Sequence, residues 1–322
     1  MNVLIMKGLT LPSVSDAELA TIAEAAGPGS NVTLVDGAKE AAAVAADVEV
    51  VLGVMPAKLF AAMAALRWVH ATASGVDMFM YPEFVNSDVV LTGEKGLVGG
   101  HLADHGFGLL LALTRQIHTA IKLGPNAWAR REAMRRVEIE LEGLTMGIVG
   151  FGGTGRAMAR RAAAFGMNVV ALDELEVAAG DGVDEVWPRA RLEELVGRSD
   201  VVAVCCPLTK ATENLFDDRL FAVMRPGAIL VNVTRGEVVD GDALVRALAS
   251  GHLGGAALDV MSGEPLAADH PIWAFDNVVM TPHTAGASQL RAGRNVSRFV
   301  DNLVRYRAGQ PLAGVVDKQA GF

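Results

Sequence analysis

The chain has little cysteine, no long apolar run and no excess of basic charge, and each shortage removes a class of protein. Cys205 and Cys206 are the two cysteines among 322 residues, and they are adjacent. Neighbours in sequence are badly placed for an unstrained disulfide, so the pair reads as small buried packing residues in a reducing compartment. No apolar stretch approaches the length of a membrane span, so no membrane partner is expected. Met1 to Met6 reads as a strand with no basic region before it, which argues against a secretory signal and for a cytoplasmic protein. The net charge of −9 lacks the clustered basic surface that nucleic acid requires. Arg130, Arg131, Arg135 and Arg136 are a local exception, but Glu132, Glu138, Glu140 and Glu142 accompany them and make a solvated helical face. His70, His101, His252 and His270 have no cysteine or carboxylate constellation, so no metal is expected. Internal repeats and low-complexity segments are missing too.

Hydrophobic residues at 51% and charged residues at 20% have the balance of an α/β protein, and 322 residues suffice for two cores. In the first hundred residues, apolar strand candidates at 3–6, 31–35, 48–52, 68–71 and 89–92 alternate with helical patterns at 16–26, 38–45, 57–66 and 76–84. That rhythm implies βα units and a mostly parallel sheet. Val98-Gly99-Gly100 reads as a hinge. His101 to Ala120 then reads as one long helix, apolar around much of its circumference and so buried on more than one side, between domains or against a second subunit.

The most informative segment follows. Met146 to Val149 reads as a buried strand, Gly150-Phe151-Gly152-Gly153-Thr154-Gly155 as a turn, and Arg156 to Phe165 as a helix. In such a G-x-G-x-x-G, Gly150 permits the tight turn, Gly152 lets backbone approach a pyrophosphate, and Gly155 lets helix and strand pack closely. A second strand, Met167 to Leu172, ends on Asp173, whose carboxylate can accept from ribose hydroxyls and would repel a 2′-phosphate. NAD (NADH) is therefore expected as cofactor, with NADP less favoured. Further strands end near Cys205, Val233 and Asp259, with helices near 191–198, 217–223 and 240–250; residues 286–308 form a helix that can return the chain to the first domain.

Three polar residues sit beside expected strand ends: Arg235 in Val-Asn-Val-Thr-Arg-Gly, Glu264 in Gly-Glu-Pro-Leu, and His283 in Thr-Pro-His-Thr. Reducing a 2-oxo acid needs a cation for its carboxylate, a hydride donor and a proton donor. Arg235 offers a bidentate fork, His283 holds a proton near neutral pH, and Glu264 beside it would orient the ring and favour its charged form. Singly, each is more often a turn or surface residue; jointly, downstream of a dinucleotide turn, they favour catalysis.

The phrases Gly147–Gly155, Arg225–Asn232, Thr234-Arg235-Gly236, Ala257–Val260, Glu264-Pro265-Leu266 and Thr281-Pro282-His283 resemble those of the D-2-hydroxyacid dehydrogenase family, over nearly the whole chain. The resemblance implies a Rossmann dinucleotide-binding domain, 99–286, inserted into a flavodoxin-like substrate domain, 1–98 and 287–322. It implies NAD-dependent turnover of a small 2-hydroxy or 2-oxo acid, as in glyoxylate/hydroxypyruvate reductase-like members, with Arg235, Glu264 and His283 as the catalytic trio. Trp68 to Asp77 resembles the substrate loop, with N–H groups near Ser74 and Gly75 on the carboxylate. Gly153 and Thr154 would touch the pyrophosphate; Cys206, Pro207 and Thr212 would line the adenosine side; Val233 and Asp259 would hold the nicotinamide amide. The helix at 101–120 resembles the family's dimer helix, so a homodimer is expected, with Trp128 just beyond it. The chain departs from the family at Ala103-Asp104-His105, where Ala-Glu-His is common, and at Gly93, where Asn is common. Thr72-Ala73-Ser74-Gly75 contains no Lys, which weakens a phosphite-oxidising reading, and the formate-oxidising pattern is not evident. A second class stays open: an NAD-sensing dimeric binding module of the same fold with little turnover, against which the intact trio argues.

Overall fold

The computed structural model describes residues 1–322, and the chain divides into two compact units, Met1–Val98 with Ala287–Phe322, and Gly99–Gly286. In the first, β1 (Asn2–Met6), β2 (Asn31–Val35), β3 (Val50–Leu52), β4 (Trp68–His70) and β5 (Val90–Thr92) form a parallel sheet in the order β2-β1-β3-β4-β5. That order is the flavodoxin-like one. Its central strands are near-continuous apolar runs because both faces are covered. Leu4, Met6, Val51 and Val69 pack with Phe79 and Phe84, while Val3, Ile5, Leu52 and Trp68 pack with Ile22 and Phe299. The helix Asp16–Ala26 starts where Ser15 and Glu18 close a capping box, and it lies along the helix Arg291–Arg307. Buried Glu94 accepts from Arg291 Nε at 2.8 Å and from the Asn295 amide, which pins the first turn of Arg291–Arg307 to the loop after β5. Together the charge and its donors satisfy a group that would otherwise be costly to bury.

In the second unit, seven strands run parallel in the order β12-β11-β10-β9-β6-β7-β8. They are β6 (Thr145–Val149), β7 (Asn168–Asp173), β8 (Val186–Pro188), β9 (Val201–Val204), β10 (Ile229–Asn232), β11 (Gly255–Leu258) and β12 (Val278–Met280). The order reverses at β6, flanked by β7 and β9, so the switch point where such sheets bind ligands lies at the carboxyl end of β6. The expected α/β fold with two parallel sheets is thus present. No helix is long and apolar enough to cross a membrane.

The structure corrects the expectation of one helix over 101–120. The helix is Gly99–Thr114, and a separate helix spans Ile117–Leu123. Gln116 takes a left-handed φ of 55°, and its side-chain amide caps the Leu113 carbonyl. The Thr114 carbonyl is claimed instead by the Ile139 amide at 2.8 Å, so the ladder cannot continue. The apolar girth of Gly99–Thr114 is accounted for within its own unit, where Ala103, Phe107, Leu110 and Leu113 pack with Ile148, Met158, Val231 and Ala257. Two further strands, β8 and β12, carry no signal in the sequence pattern. Each is an edge strand of three residues, too short to display a period. The helical pattern at 57–66 shortens to Ala57–Phe60, with turns carrying Met63 and Leu66 into the core.

Candidate active site

The glycine turn leaves β6 and becomes helical at Gly153, three residues earlier than the apolar pattern alone suggests. Gly150 has φ 97°, and a Cβ there would stand 2.6 Å from the Cys206 amide nitrogen. A Cβ on Gly155 would stand 2.1 Å from the Gly150 carbonyl oxygen, whereas one on Gly152 would meet nothing within 4 Å. Two glycines are therefore demanded by packing, and the middle one keeps backbone bare on an open side, which is the arrangement a pyrophosphate needs. Gly153 and Thr154 form the first turn of the helix Gly153–Ala164, whose leading N–H groups have no partners within the helix. The start of Gly99–Thr114 presses on the same turn, since a Cβ on Gly99 would lie 2.2 Å from the Gly153 oxygen.

Asp173 closes β7. Its Oδ2 accepts from the Phe151 amide at 2.7 Å and its Oδ1 from the Leu175 amide at 2.9 Å. Each oxygen keeps lone-pair capacity for a further donor. Across the switch point, Cys206 is buried and Pro207 exposed, and Thr212 folds the segment back by donating to the Pro207 oxygen at 2.6 Å. Burial pushes the Cys206 thiol up to about 12 and the Cys205 thiol still higher, so both are packing residues. These groups fit an NAD-type dinucleotide: open backbone for phosphates, an acid for ribose, an apolar wall.

The trio is distributed over adjacent strands. Arg235 follows β10, Glu264 follows β11 and His283 follows β12, each beyond a carboxyl end. Asn232, buried at the end of β10, shapes the arginine turn by donating to the Arg235 oxygen at 2.9 Å and accepting from the Thr234 amide at 3.1 Å. Gly236 then lies flush on the next loop, since a Cβ there would fall 1.9 Å from the Met261 carbonyl carbon. This contact brings the arginine turn against the loop that carries Glu264. Glu264 Oε1 accepts from the Met261 amide at 3.0 Å, which fixes the carboxylate, and Oε2 sits 2.7 Å from His283 Nδ1. His283 has φ 54°, and its amide donates to the Asp259 oxygen at 2.7 Å. A left-handed histidine is held by its surroundings at a cost of order 1 kcal/mol.

Asp259 is the anchor of that strained loop. Its carboxylate, 1% exposed, accepts from Thr281 Oγ1 at 2.6 Å, the Thr284 amide at 2.8 Å and the Ala285 amide at 2.8 Å. Thr281 spends its one proton on Asp259, so His105 Nε2, 2.7 Å from Thr281 Oγ1, must be the donor in that contact. His105 thus joins the site, a placement that its local sequence, Ala103-Asp104-His105, does not announce. Its neighbour Asp104 anchors Gly99–Thr114 by accepting at one oxygen, Oδ1, from Arg161 Nε at 2.9 Å and Nη2 at 2.6 Å. Val233 is buried, 3.4 Å from where a Cβ on Gly106 would stand. Ser74 and Gly75 lie in the first unit, in the loop after β4, with Ser74 exposed and Gly75 half-buried. No group of His, Cys, Asp or Glu is arranged to hold a metal ion.

Comparison with known proteins agrees with this geometry. Residues 107–285 match the family described as D-isomer specific 2-hydroxyacid dehydrogenase, NAD binding domain. A glyoxylate reductase of Korarchaeum cryptofilum is 34% identical over 268 residues, covering 82% of this chain and 80% of the relative. An (S)-sulfolactate dehydrogenase of Chromohalobacter salexigens is 34% identical over 250 residues, 77% of this chain and 80% of the relative. The solved NADPH-dependent glyoxylate/hydroxypyruvate reductase of Sinorhizobium meliloti, in complex with NADP and sulfate, superposes with a TM-score of 0.80 at 26% identity, over 100% of both chains. The chain belongs to the D-isomer specific 2-hydroxyacid dehydrogenase family and is an oxidoreductase with an NAD-binding domain.

Proposed function

We propose that the protein interconverts a small 2-oxo acid and its 2-hydroxy acid with NAD(H), using Arg235, His283 and Glu264. The observation that carries this reading is the 2.7 Å contact between His283 Nδ1 and Glu264 Oε2. A carboxylate at Nδ1 keeps the proton on that nitrogen and balances the ring's charge, leaving Nε2 to exchange a proton with substrate. Reduction adds a hydride to the keto carbon and a proton to its oxygen; a dinucleotide held at its pyrophosphate by the turn at 150–155 would supply the hydride from its nicotinamide. Arg235 supplies permanent positive charge for the carboxylate and for the oxygen on which negative charge develops. Ser74 and Gly75 in the first unit are proposed to bind the substrate carboxylate through backbone N–H groups. Val233 and Asp259 are proposed on the nicotinamide side, and Cys206, Pro207 and Thr212 on the adenosine side. Asp173 supports NAD as the preferred cofactor, even though the Sinorhizobium meliloti relative is named NADPH-dependent. A homodimer is the proposed assembly, supported by apolar side chains left bare beyond Gly99–Thr114, Ile121 at 77% and Trp128 at 82% exposure.

The test is loss of NADH absorbance with glyoxylate, hydroxypyruvate, pyruvate and phenylpyruvate, with NADPH in parallel. Turnover concentrated on one size of acid, abolished in His283→Ala, is expected. In Arg235→Lys, which keeps the charge but loses the fork, kcat/KM should fall by about a hundredfold. Tight NADH binding without turnover on any acid would instead favour a sensing module.

A further inference from the structure

A salt bridge flanks Asp173 that the proposed reaction does not use. β8 is in register with the end of β7, Asp173 opposite Pro188, so the next residue of each strand, Glu174 and Arg189, emerge side by side. Arg189 Nη1 donates to Glu174 Oε2 at 3.0 Å, and Nη2 donates to the Ala211 oxygen. Ala211 belongs to the turn that Thr212 closes onto Pro207. The guanidinium therefore bridges the two segments on either side of the ribose acid. Lys210 and Glu213, on the same turn, offset one another in sign.

An arginine at this edge is the natural ligand of a 2′-phosphate, because its fork matches the phosphate oxygens. Here one edge of that fork is already taken by a carboxylate. We propose that Glu174 sets the cofactor choice by occupying and neutralising Arg189, so that the ribose edge rejects a 2′-phosphate and takes NAD; this rests on the dinucleotide site proposed above. Asp173 and Glu174 have different tasks. Asp173 accepts from the ribose hydroxyls, while Glu174 keeps Arg189 from serving a phosphate. Side-chain exposures of 31% and 56% for Arg189 and Glu174 leave the pair accessible to ligand and open to screening by salt.

The experiment is isothermal titration of NAD+ and NADP+ into the wild type, Glu174→Gln and the double variant Glu174→Gln/Arg189→Gln. The wild type should bind NAD+ the more tightly. Glu174→Gln should lower the ratio of the NADP+ to the NAD+ Kd by about fivefold, through tighter NADP+ binding, the size of effect an exposed charge pair supports. Removing Arg189 as well should restore the wild-type ratio. An unchanged ratio in Glu174→Gln, a gain that survives loss of Arg189, or a wild type that prefers NADP+ would each overturn the proposal. So would a folded Glu174→Gln protein that loses both dinucleotides, since the pair would then merely brace the turn. A wild type that binds neither dinucleotide would overturn the site reading itself and the proposal with it.

Discussion

The Asp259 carboxylate and the Ala285 amide are joined at 2.8 Å across 26 residues of chain, and this bond holds the histidine loop to the end of β11. With the Thr281 and Thr284 bonds it makes one buried carboxylate the support of a left-handed His283. Asp259→Asn presents an amide to at least one of these N–H groups. Leaving a buried donor unpaired costs roughly 1–3 kcal/mol. Thermal unfolding should fall by several degrees and kcat should drop with it, and NADH binding should weaken as well, since Asp259 is proposed on the nicotinamide side. A Tm equal to the wild type's would show that the loop is held by other means.

His283 and Glu264 should separate kinetically. His283→Ala removes the proposed proton donor and should lower kcat by about 10²–10⁴-fold. Glu264→Gln keeps a group near Nδ1 but loses the charge, and should lower kcat by about tenfold with KM nearly unchanged. Equal losses in the two variants would mean that Glu264 does more than orient and balance the ring.

Gly155 is a packing requirement more than a flexible link. A Cβ there would stand 2.1 Å from the Gly150 oxygen, a backbone atom that cannot swing aside. Gly155→Ala should push the helix Gly153–Ala164 off β6, destabilise the protein by about 1–3 kcal/mol and weaken NADH binding at least tenfold. Fluorescence titration with NADH and urea unfolding read the two effects. Gly152→Ala, with open space around it, should spare folding and impair only binding.

His70 gives a pH signature in the first unit. Burial lowers it from 6.5 to about 4, with the Asn295 side chain opposing and the Arg298 charge reinforcing the shift. The folded state therefore binds fewer protons than the unfolded state between these values, so stability rises with pH there. The contribution is complete above pH 6.5 and is lost as pH falls towards about 4. The window is worth ~3 kcal/mol, of which about 2 should already be missing near pH 5. Urea unfolding near pH 7 and near pH 5 measures it, and His70→Asn should flatten that part of the profile. A wild-type slope unchanged by the substitution would assign the acid sensitivity to other groups.

Much was legible in the amino-acid order because the chemistry there is local. Gly150, Gly152 and Gly155 occupy positions in one strand-turn-helix where a side chain would clash or block, and Asp173 ends the next strand, so a single stretch of sequence carries the whole motif. The alternation of apolar runs with helical patterns announced two parallel sheets for the same reason, since each βα unit buries its own faces. The end of Gly99–Thr114 is not written in the local sequence, because apolar periodicity continues through Ile117 while the stop depends on a carbonyl being taken by distant Ile139. β8 and β12 are silent in the sequence because three residues show no period, yet they place Arg189 and His283. Only the tertiary structure decided that His105 reaches Thr281, that Glu174 meets Arg189, and that Gly236 seats the arginine turn on Met261. Those pairings follow from strand order and register, which bring residues far apart in the chain to neighbouring strand ends. Residue type and spacing therefore determined what chemistry the chain could hold, and the parallel sheet determined which of those groups could act together.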